Sequence, residues 1–432
     1  MLFSLDRQLL RSIAALSLPA VVTNITTPLL ALCDVAIVGH MGSAVYIAAI
    51  AVGGTMFNML YWLCGFLRMG SSGTTAQAFG AGNMLQVHAI VRRAMAIAFF
   101  IAMAFIIFRH PIATLLLDFI DAEPAAREMA MEYFGICIWG APAVLGTFAL
   151  TGWFIGLQNS RIPMWISIFI NVFNIVVSLT LVYAAGLKIS GVAFGTLSAQ
   201  WGGFLLGLAV GLRKYGLVRV GVKLLLAWDD LRTFLRINSD IFLRTFCLVA
   251  VTLWFTRVGA MQGTVMLAVN TLLMQFFTIF SYMMDGLAFA GEALCGRYLG
   301  ADDRPRLRQT VRGLTVVGAV ASLIFTIVYF AGGDAFLVLL SSEGAIVASS
   351  KEFFGWAVAI PLLSFMAFVG DGVMIGMTRT RAMLASMVVG AAVYFLLYLF
   401  LFPRIGNHGL WIAFLAYLLS RGIVLGVEIK KI

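Results

Sequence analysis

The sequence predicts an all-α polytopic membrane protein with twelve transmembrane helices arranged in two six-helix lobes. Three observations predict it. The 432-residue chain is 62% hydrophobic and only 11% charged, with mean hydropathy +1.01. Soluble domains are nearer half apolar and about a quarter charged, so lipid must cover a surface that so few polar residues cannot. Apolar runs reaching the ~20 residues needed to cross a bilayer recur along the whole length. Two distant stretches also repeat at a fixed offset.

The spans fall at 13–38, 46–74, 88–113, 125–155, 161–184, 190–212, 237–259, 265–294, 307–333, 347–376, 379–402 and 408–427. Turn-forming segments separate them, among them "GHMG" after the first, "GAGN" after the second, "AGLKISG" after the fifth and "PRIGNHG" before the last. The first span is long and lacks a small-residue cleavage site, which predicts a retained helix. Of the 29 Lys and Arg, twenty lie in segments facing the side of the N-terminus and six on the other side, with Arg68, Arg244 and Arg421 inside spans. That bias predicts a multi-pass protein of the bacterial cytoplasmic membrane with both termini in the cytoplasm.

The net charge of +10 does not imply nucleic acid, because the basic residues sit in short loops between apolar runs. Cys33, Cys64, Cys137, Cys247 and Cys295 lie scattered in apolar segments without metal or disulfide spacing. The four histidines form no HExxH and no His–acid cluster, and no P-loop is present. No metal, no cofactor and no enzymatic activity are expected, and a monomer is.

The stretch 213–236 carries Asp229, Asp230 and the densest basic run, and reads as a cytoplasmic linker between lobes 1–212 and 237–432. "TGWFIGLQNSR" (151–161) aligns with "DGVMIGMTRTR" (371–381) at an offset of 220, with Gly152/Gly372, Ile155/Ile375, Gly156/Gly376 and Arg161/Arg381 identical. Gly65, Gly70 and Gly80 match Gly286, Gly291 and Gly300 with one residue of slippage. Six spans per half makes the repeat parallel, the arrangement of two bundles rocking about a central cavity.

One acid stands out. Asp34 lies in the first span, on the order of 7 Å below its outer end at ~1.5 Å per residue. A carboxylate at such depth costs at least ~2 kcal/mol, so an acid retained there is functional by default. Without a neighbouring cation it is suited to loading and releasing a proton. Thr27 and Thr23 extend a polar stripe below it, while Pro19 and Pro28 each remove a backbone donor and supply a hinge. The fifth span shows Ser167, Asn171, Asn174 and Ser178 at helical spacing, and the sixth shows Thr196 and Gln200. Counting residues from the span ends brings Asp34, Ser178 and Thr196 to one level. The plainer alternative for the fifth and sixth spans is interhelical hydrogen bonding without chemistry.

Arg68, Asp240, Arg244, Asp285, Glu292 and Asp371 fall toward the cytoplasmic ends of their spans and read as ion pairs or gates. Asp240 and Arg244 are four apart and suited to pair, and Arg68 to neutralise Asp285 or Asp371. Asn58, Tyr61 and Gln200, with Thr27 and Asn171, are candidates for a substrate cavity. The 35 Phe and 21 Met offer soft surface for amphipathic ligands.

Six segments in order, "DVAIVGHMG", "FLRMGSSGTTAQAFGAGN", "NSDIFLRTF", "DGLAFAGEA", "DGVMIGMTRTR" and "GNHGLWIAF", resemble the multidrug and toxic compound extrusion (MATE) family, specifically its DinF-like branch. The resemblance runs nearly end to end. It implies a twelve-helix, two-lobed secondary transporter that exports amphipathic, often cationic compounds in exchange for H⁺ or Na⁺. In relatives the first-span Asp is the coupling residue, here Asp34. The fifth-span Asn-x-x-x-Asp pattern falls on Asn174 and position 178, and the sixth-span Thr on Thr196. Position 178 is Ser here, where many relatives have a second Asp. A Na⁺ site needs several oxygens and negative charge, so losing one carboxylate favours H⁺ coupling over Na⁺. A lipid-linked oligosaccharide flippase of related architecture would want a strongly cationic cavity, and only three in-span arginines are present. A non-transporting scaffold would leave Asp34 and the prolines without a purpose.

Overall fold

The fold is helical throughout its described part. The computed structural model describes residues 6–39, 44–120, 123–216, 221, 225, 227–340 and 343–432. Fifteen α-helices follow in chain order: α1 (Arg7–Gly39), α2 (Ala44–Leu63), α3 (Phe66–Gly80), α4 (Met84–Ile107), α5 (Arg109–Ile120), α6 (Pro124–Cys137), α7 (Ala141–Gly156), α8 (Arg161–Leu179), α9 (Lys188–Tyr215), α10 (Trp228–Met261), α11 (Thr264–Gly300), α12 (Arg304–Leu340), α13 (Gly344–Gly376), α14 (Thr380–Ile405) and α15 (Asn407–Lys430). Among the described residues these supply twelve spans long and apolar enough to cross a membrane.

Three spans depart from their sequence reading. The second is two helices, α2 and α3, broken at Cys64 and Gly65. The fourth is α6 and α7 joined by a 3₁₀ turn, Ile138–Gly140, with Pro142 in the first turn of α7, where its missing N–H costs nothing. The third ends at Ile107 rather than 113, because Arg109 starts a separate helix with Pro111 in its first turn. The expected linker is not bare. Arg93 of α4 pairs with Asp230 at 2.8 Å and donates to the Leu225 carbonyl at 3.0 Å.

By packing, the chain forms two compact units. One comprises Val22–Asn238, and the other Met1–Val21 with Ser239–Ile432. The boundaries at 21/22 and 238/239 cut α1 and α10 within three residues of corresponding points of the repeat. The domain division drawn from sequence follows the repeat, whereas packing assigns the first part of each lobe's opening helix to the opposite unit. In α1 that boundary lies between Pro19 and Pro28, and the helix continues through both prolines.

Inside each unit the repeat glycines do the same work. A Cβ at Gly156 of α7 would stand 2.8 Å from the Ser72 carbonyl oxygen of α3. A Cβ at Gly376 of α13 would stand 2.7 Å from the Glu292 carbonyl oxygen of α11. Gly152 and Gly372 meet the backbones of Arg68 and Ala288 in the same way. Both members of each contact are 220 residues from their counterparts, so the duplication holds for helix packing as well as for sequence. Close backbone approach of this kind is what small residues allow between helices in lipid.

Candidate functional site

In the Val22–Asn238 unit, α8 and its continuation hold the C-terminal part of α1 at three points. Thr26 Oγ1 meets Ser167 Oγ at 2.9 Å, and Asn171 Nδ2 donates to the Thr26 carbonyl at 2.8 Å. Beyond Asp34, the Tyr183 hydroxyl donates to the Ile37 carbonyl at 3.3 Å. Tyr183 projects from a short π-helical stretch, Thr180–Ala184, that continues α8. Widened turns of this type are frequent at functional sites.

Asp34 sits between these clamps. It is 6% exposed, and its Oδ1 is buried without a hydrogen-bond partner among the described residues. It lies close enough to Tyr133 and Cys137 of α6 for its charge to act on both. Tyr133 shares side-chain hydrogen bonds with Thr196 of α9 and with Cys137. Asn174 Nδ2 donates to Thr196 Oγ1 at 2.9 Å, and Ser178 Oγ donates to Asn174 Oδ1 at 3.5 Å. At the far end, Cys137 Sγ donates to the Ala193 carbonyl at 3.5 Å. A polar relay therefore runs from Ser178 through Asn174, Thr196 and Tyr133 to Cys137, with the carboxylate of Asp34 beside its last two members. Its members are buried, which makes each hydrogen bond costly to lose.

Sequence reasoning placed Asn174, Ser178 and Thr196 together, and they are. Asp34 Oδ1 makes no hydrogen bond to any of the three among the described residues. Tyr133 and Cys137 were not singled out in the sequence. Their i, i+4 spacing on one helix face, and the need of a buried phenol for a partner, are the signals that point to them. The ring of Tyr133 is seated over Gly53 of α2, where a Cβ would lie 2.6 Å from its Cδ1, and Gly195 lies against the Ser178 backbone in α8.

The remaining cavity candidates scatter. Asn58 is exposed on α2. Tyr61 stacks on Phe57 with ring centroids 5.4 Å apart, and its hydroxyl is buried without a partner among the described residues. Gln200 packs over Gly140 with its Oε1 likewise without one. Asn171 is committed to the α1 backbone, and the side chain of Thr27 lies outside the described residues.

The second unit holds a different buried acid. Asp371 of α13 receives Arg421 Nη2 of α15 at 2.7 Å, and Arg244 Nη2 of α10 on the same oxygen. Asp285 of α11 is near enough to act on Arg421. Arg421 also packs over the Tyr417 ring at 5.3 Å, and the Tyr417 hydroxyl donates to Met387 Sδ at 3.0 Å. The ion-pair set expected from sequence is present, but its pairing is corrected. Arg244 engages Asp371 rather than Asp240, because Asp240 accepts from the Thr380 hydroxyl at 2.6 Å. Asp371 is neutralised by the two arginines of its own unit. Among the described residues no cluster of His, Cys, Asp and Glu suited to a metal is present.

Twelve membrane-spanning helices built as a tandem repeat, with a buried acid that has no ion-pair partner among the described residues, suit a membrane transporter, and comparison with known proteins agrees. The chain belongs to the MatE family, whose model matches it twice, over residues 19–180 and 240–400. It is similar to the DNA damage-inducible protein F of Escherichia coli (strain K12), with 35% identity over 413 residues covering 95% of this chain and 90% of that protein. Similarity to the multidrug resistance protein MdtK of Yersinia enterocolitica is 23% over 439 residues, covering 97% and 95%. In fold, the crystal structure of the Vibrio cholerae MATE transporter VcmN in the bent form matches with a TM-score of 0.85 at 17% identity, over 98% of this chain and 97% of that one.

Proposed function

We propose that this protein is a secondary active multidrug antiporter of the bacterial cytoplasmic membrane, exporting amphipathic cationic compounds in exchange for H⁺ through Asp34. The observation that carries the reading is a buried carboxylate with an oxygen free of hydrogen bonds, alongside a continuous relay of neutral polar groups. A proton arriving at Asp34 removes a charge that the apolar surroundings penalise. The neutral acid can then donate a hydrogen bond, and the charge felt by Tyr133 and Cys137 is removed. Rearrangement there pulls on α1 between its two prolines and shifts the balance between outward- and inward-open states. Coupling consists of the two states binding the proton unequally.

The printed descriptions of the relatives, a multidrug resistance protein among them, support export of drug-like molecules. H⁺ is favoured over Na⁺ because Ser178 leaves Asp34 as the lone carboxylate in the group, too little negative charge for a tight Na⁺ site. Efflux of ethidium or rhodamine from proteoliposomes under an imposed pH gradient, repeated under a Na⁺ gradient, tests both halves of the proposal. Drug-dependent proton movement is expected from the natural protein and is lost in Asp34→Asn. Transport by Asp34→Asn at the natural rate, or transport driven by Na⁺ alone, overturns the reading.

A further inference from the structure

A second feature of the Val22–Asn238 unit takes no part in this relay. Met95, Phe99, Met103 and Ile106 follow one another at i, i+4, i+8 and i+11, forming a single stripe along α4. Trp139 at the 3₁₀ turn and Trp201 and Phe204 of α9 face that stripe across a groove of about 290 Å³. Gly146 of α7 forms the floor, and the Phe204 ring lies where its Cβ would be. The Trp201 indole N–H donates to the Trp139 carbonyl at 3.2 Å, which fastens two members of the wall facing α4 to each other. The outer rims are exposed, with Phe99 at 53% and Trp139 at 49%. These helices are membrane spans, so the groove opens toward lipid.

The groove has a charged end. Arg109, in the first turn of α5, places its guanidinium 5.5 Å from the centre of the Trp139 ring. The one acid in α5, Asp118, is taken by Arg127 at 2.6 Å, so Arg109 has no carboxylate in its own helix to neutralise it. From Met95 to Ile106 the stripe is about 16 Å long, at 1.5 Å rise per residue. A long apolar slot lined by rings and thioethers, closed at one end by a cation on an indole, matches an acyl chain beneath a phosphate. A guanidinium presents forked donors to a phosphate and a stem that runs along apolar surface.

We infer that this groove is a structural phospholipid site, holding one acyl chain between the α4 stripe and Trp139, Trp201 and Phe204, with the lipid phosphate on Arg109. Native mass spectrometry of the full chain, released from detergent after incubation with phosphatidylglycerol, tests it. One phosphatidylglycerol is expected to survive collisional activation on the natural protein. Arg109→Gln removes the phosphate donors, and Met103→Trp fills the slot without touching the cation. Each is expected to lower the retained adduct roughly tenfold, Arg109→Gln by losing one charge-assisted contact and Met103→Trp by taking the space of the acyl chain. Diacylglycerol of the same chains, which lacks the phosphate, is expected to be retained no better than on Arg109→Gln. Chromatographic elution and helical content identical to the natural protein show that each variant folds. Retention by both folded variants at the natural level overturns the site. Diacylglycerol retained as strongly as phosphatidylglycerol overturns the assignment of phosphate to Arg109. Drug transport is not read, so the outcome is independent of whether Asp34 couples to protons.

Discussion

Asp34 and Asp371 are buried almost equally, at 6% and 5% exposed, yet they are held in opposite ways. Asp371 has two guanidiniums on one oxygen, and its helix is fastened through them to α10 and α15. Each acid keeps one oxygen without a hydrogen bond among the described residues, but the groups beside Asp34 are neutral. A carboxylate between two cations acts as a fastener. A carboxylate in neutral surroundings changes its interactions each time a proton arrives. Depth in the membrane alone does not distinguish a switch from a clamp; the identity of the nearest charge does.

The sharpest way to break this contrast is to neutralise each acid in turn and measure thermal stability in detergent. Asp371→Asn leaves Arg244 and Arg421 buried without their shared anion, and a loss of about 3–5 kcal/mol is expected. Asp34→Asn removes a charge that has no counter-charge to strand, so stability is expected within about 1 kcal/mol of the natural protein, or above it. Adding Arg244→Gln to Asp371→Asn removes one of the stranded cations and is expected to recover part of the loss. Equal losses for the two single variants would erase the distinction.

The next effect probes what the units share. Gly156→Val and Gly376→Val each force a side chain onto a facing carbonyl, whose oxygen lies only 2.8 or 2.7 Å from where the first side-chain carbon would sit. Each is expected to cost about 1–3 kcal/mol or more, as overpacking does. The pair should match each other closely, because Ser72 and Glu292 occupy equivalent places in the duplicated packing. A large cost at one and none at the other would limit the repeat to sequence.

Ser178 tests the switch side. Ser178→Asp restores the second carboxylate next to Asn174 and is expected to create a Na⁺ response, with the melting temperature higher in NaCl than in KCl. The natural protein is expected to melt alike in both salts. The adjacent Gly195, whose Cβ would lie 2.9 Å from the Ser178 backbone nitrogen, shows how little room the larger acid would have. Some baseline destabilisation in KCl therefore accompanies the gain.

These contrasts also show what the chain discloses before it folds. The twelve spans, the duplication and the depth of Asp34 are legible because lipid imposes length and polarity on every segment and because counting along a helix gives height. The trio Asn174, Ser178 and Thr196 came from that counting. Tyr133 and Cys137 did not, since height says nothing about which face of α6 turns toward α1. The partner of Arg244 was misassigned for a related reason: spacing of four allows a pair with Asp240, but Asp371 arrives from a helix more than a hundred residues away and Arg421 from a third. The break after Ile107 escaped because Phe108 alone separates the two helices and the apolar run of Ile112 to Leu117 follows within a few residues.

The smallest effect compares two single hydrogen bonds. Asn171→Ala removes the donor to the Thr26 carbonyl, and Thr380→Val removes the donor to Asp240. Each is expected to cost about 1 kcal/mol, the usual worth of one such bond. Their consequences should nevertheless differ. Asn171 fastens α8 to α1 just inside Asp34, so its loss is expected to quicken amide exchange along the described part of α1 beyond Val22 and to alter the drug efflux rate. Thr380 supports Asp240, an acid of the unit that holds the clamp, and its loss should leave both unchanged. Exchange measured by mass spectrometry on the two variants separates local loosening from general weakening. If Thr380→Val quickened exchange in α1 as much as Asn171→Ala, the clamp would share control of the switch, and the opposition between the two acids would fail where it is most finely drawn.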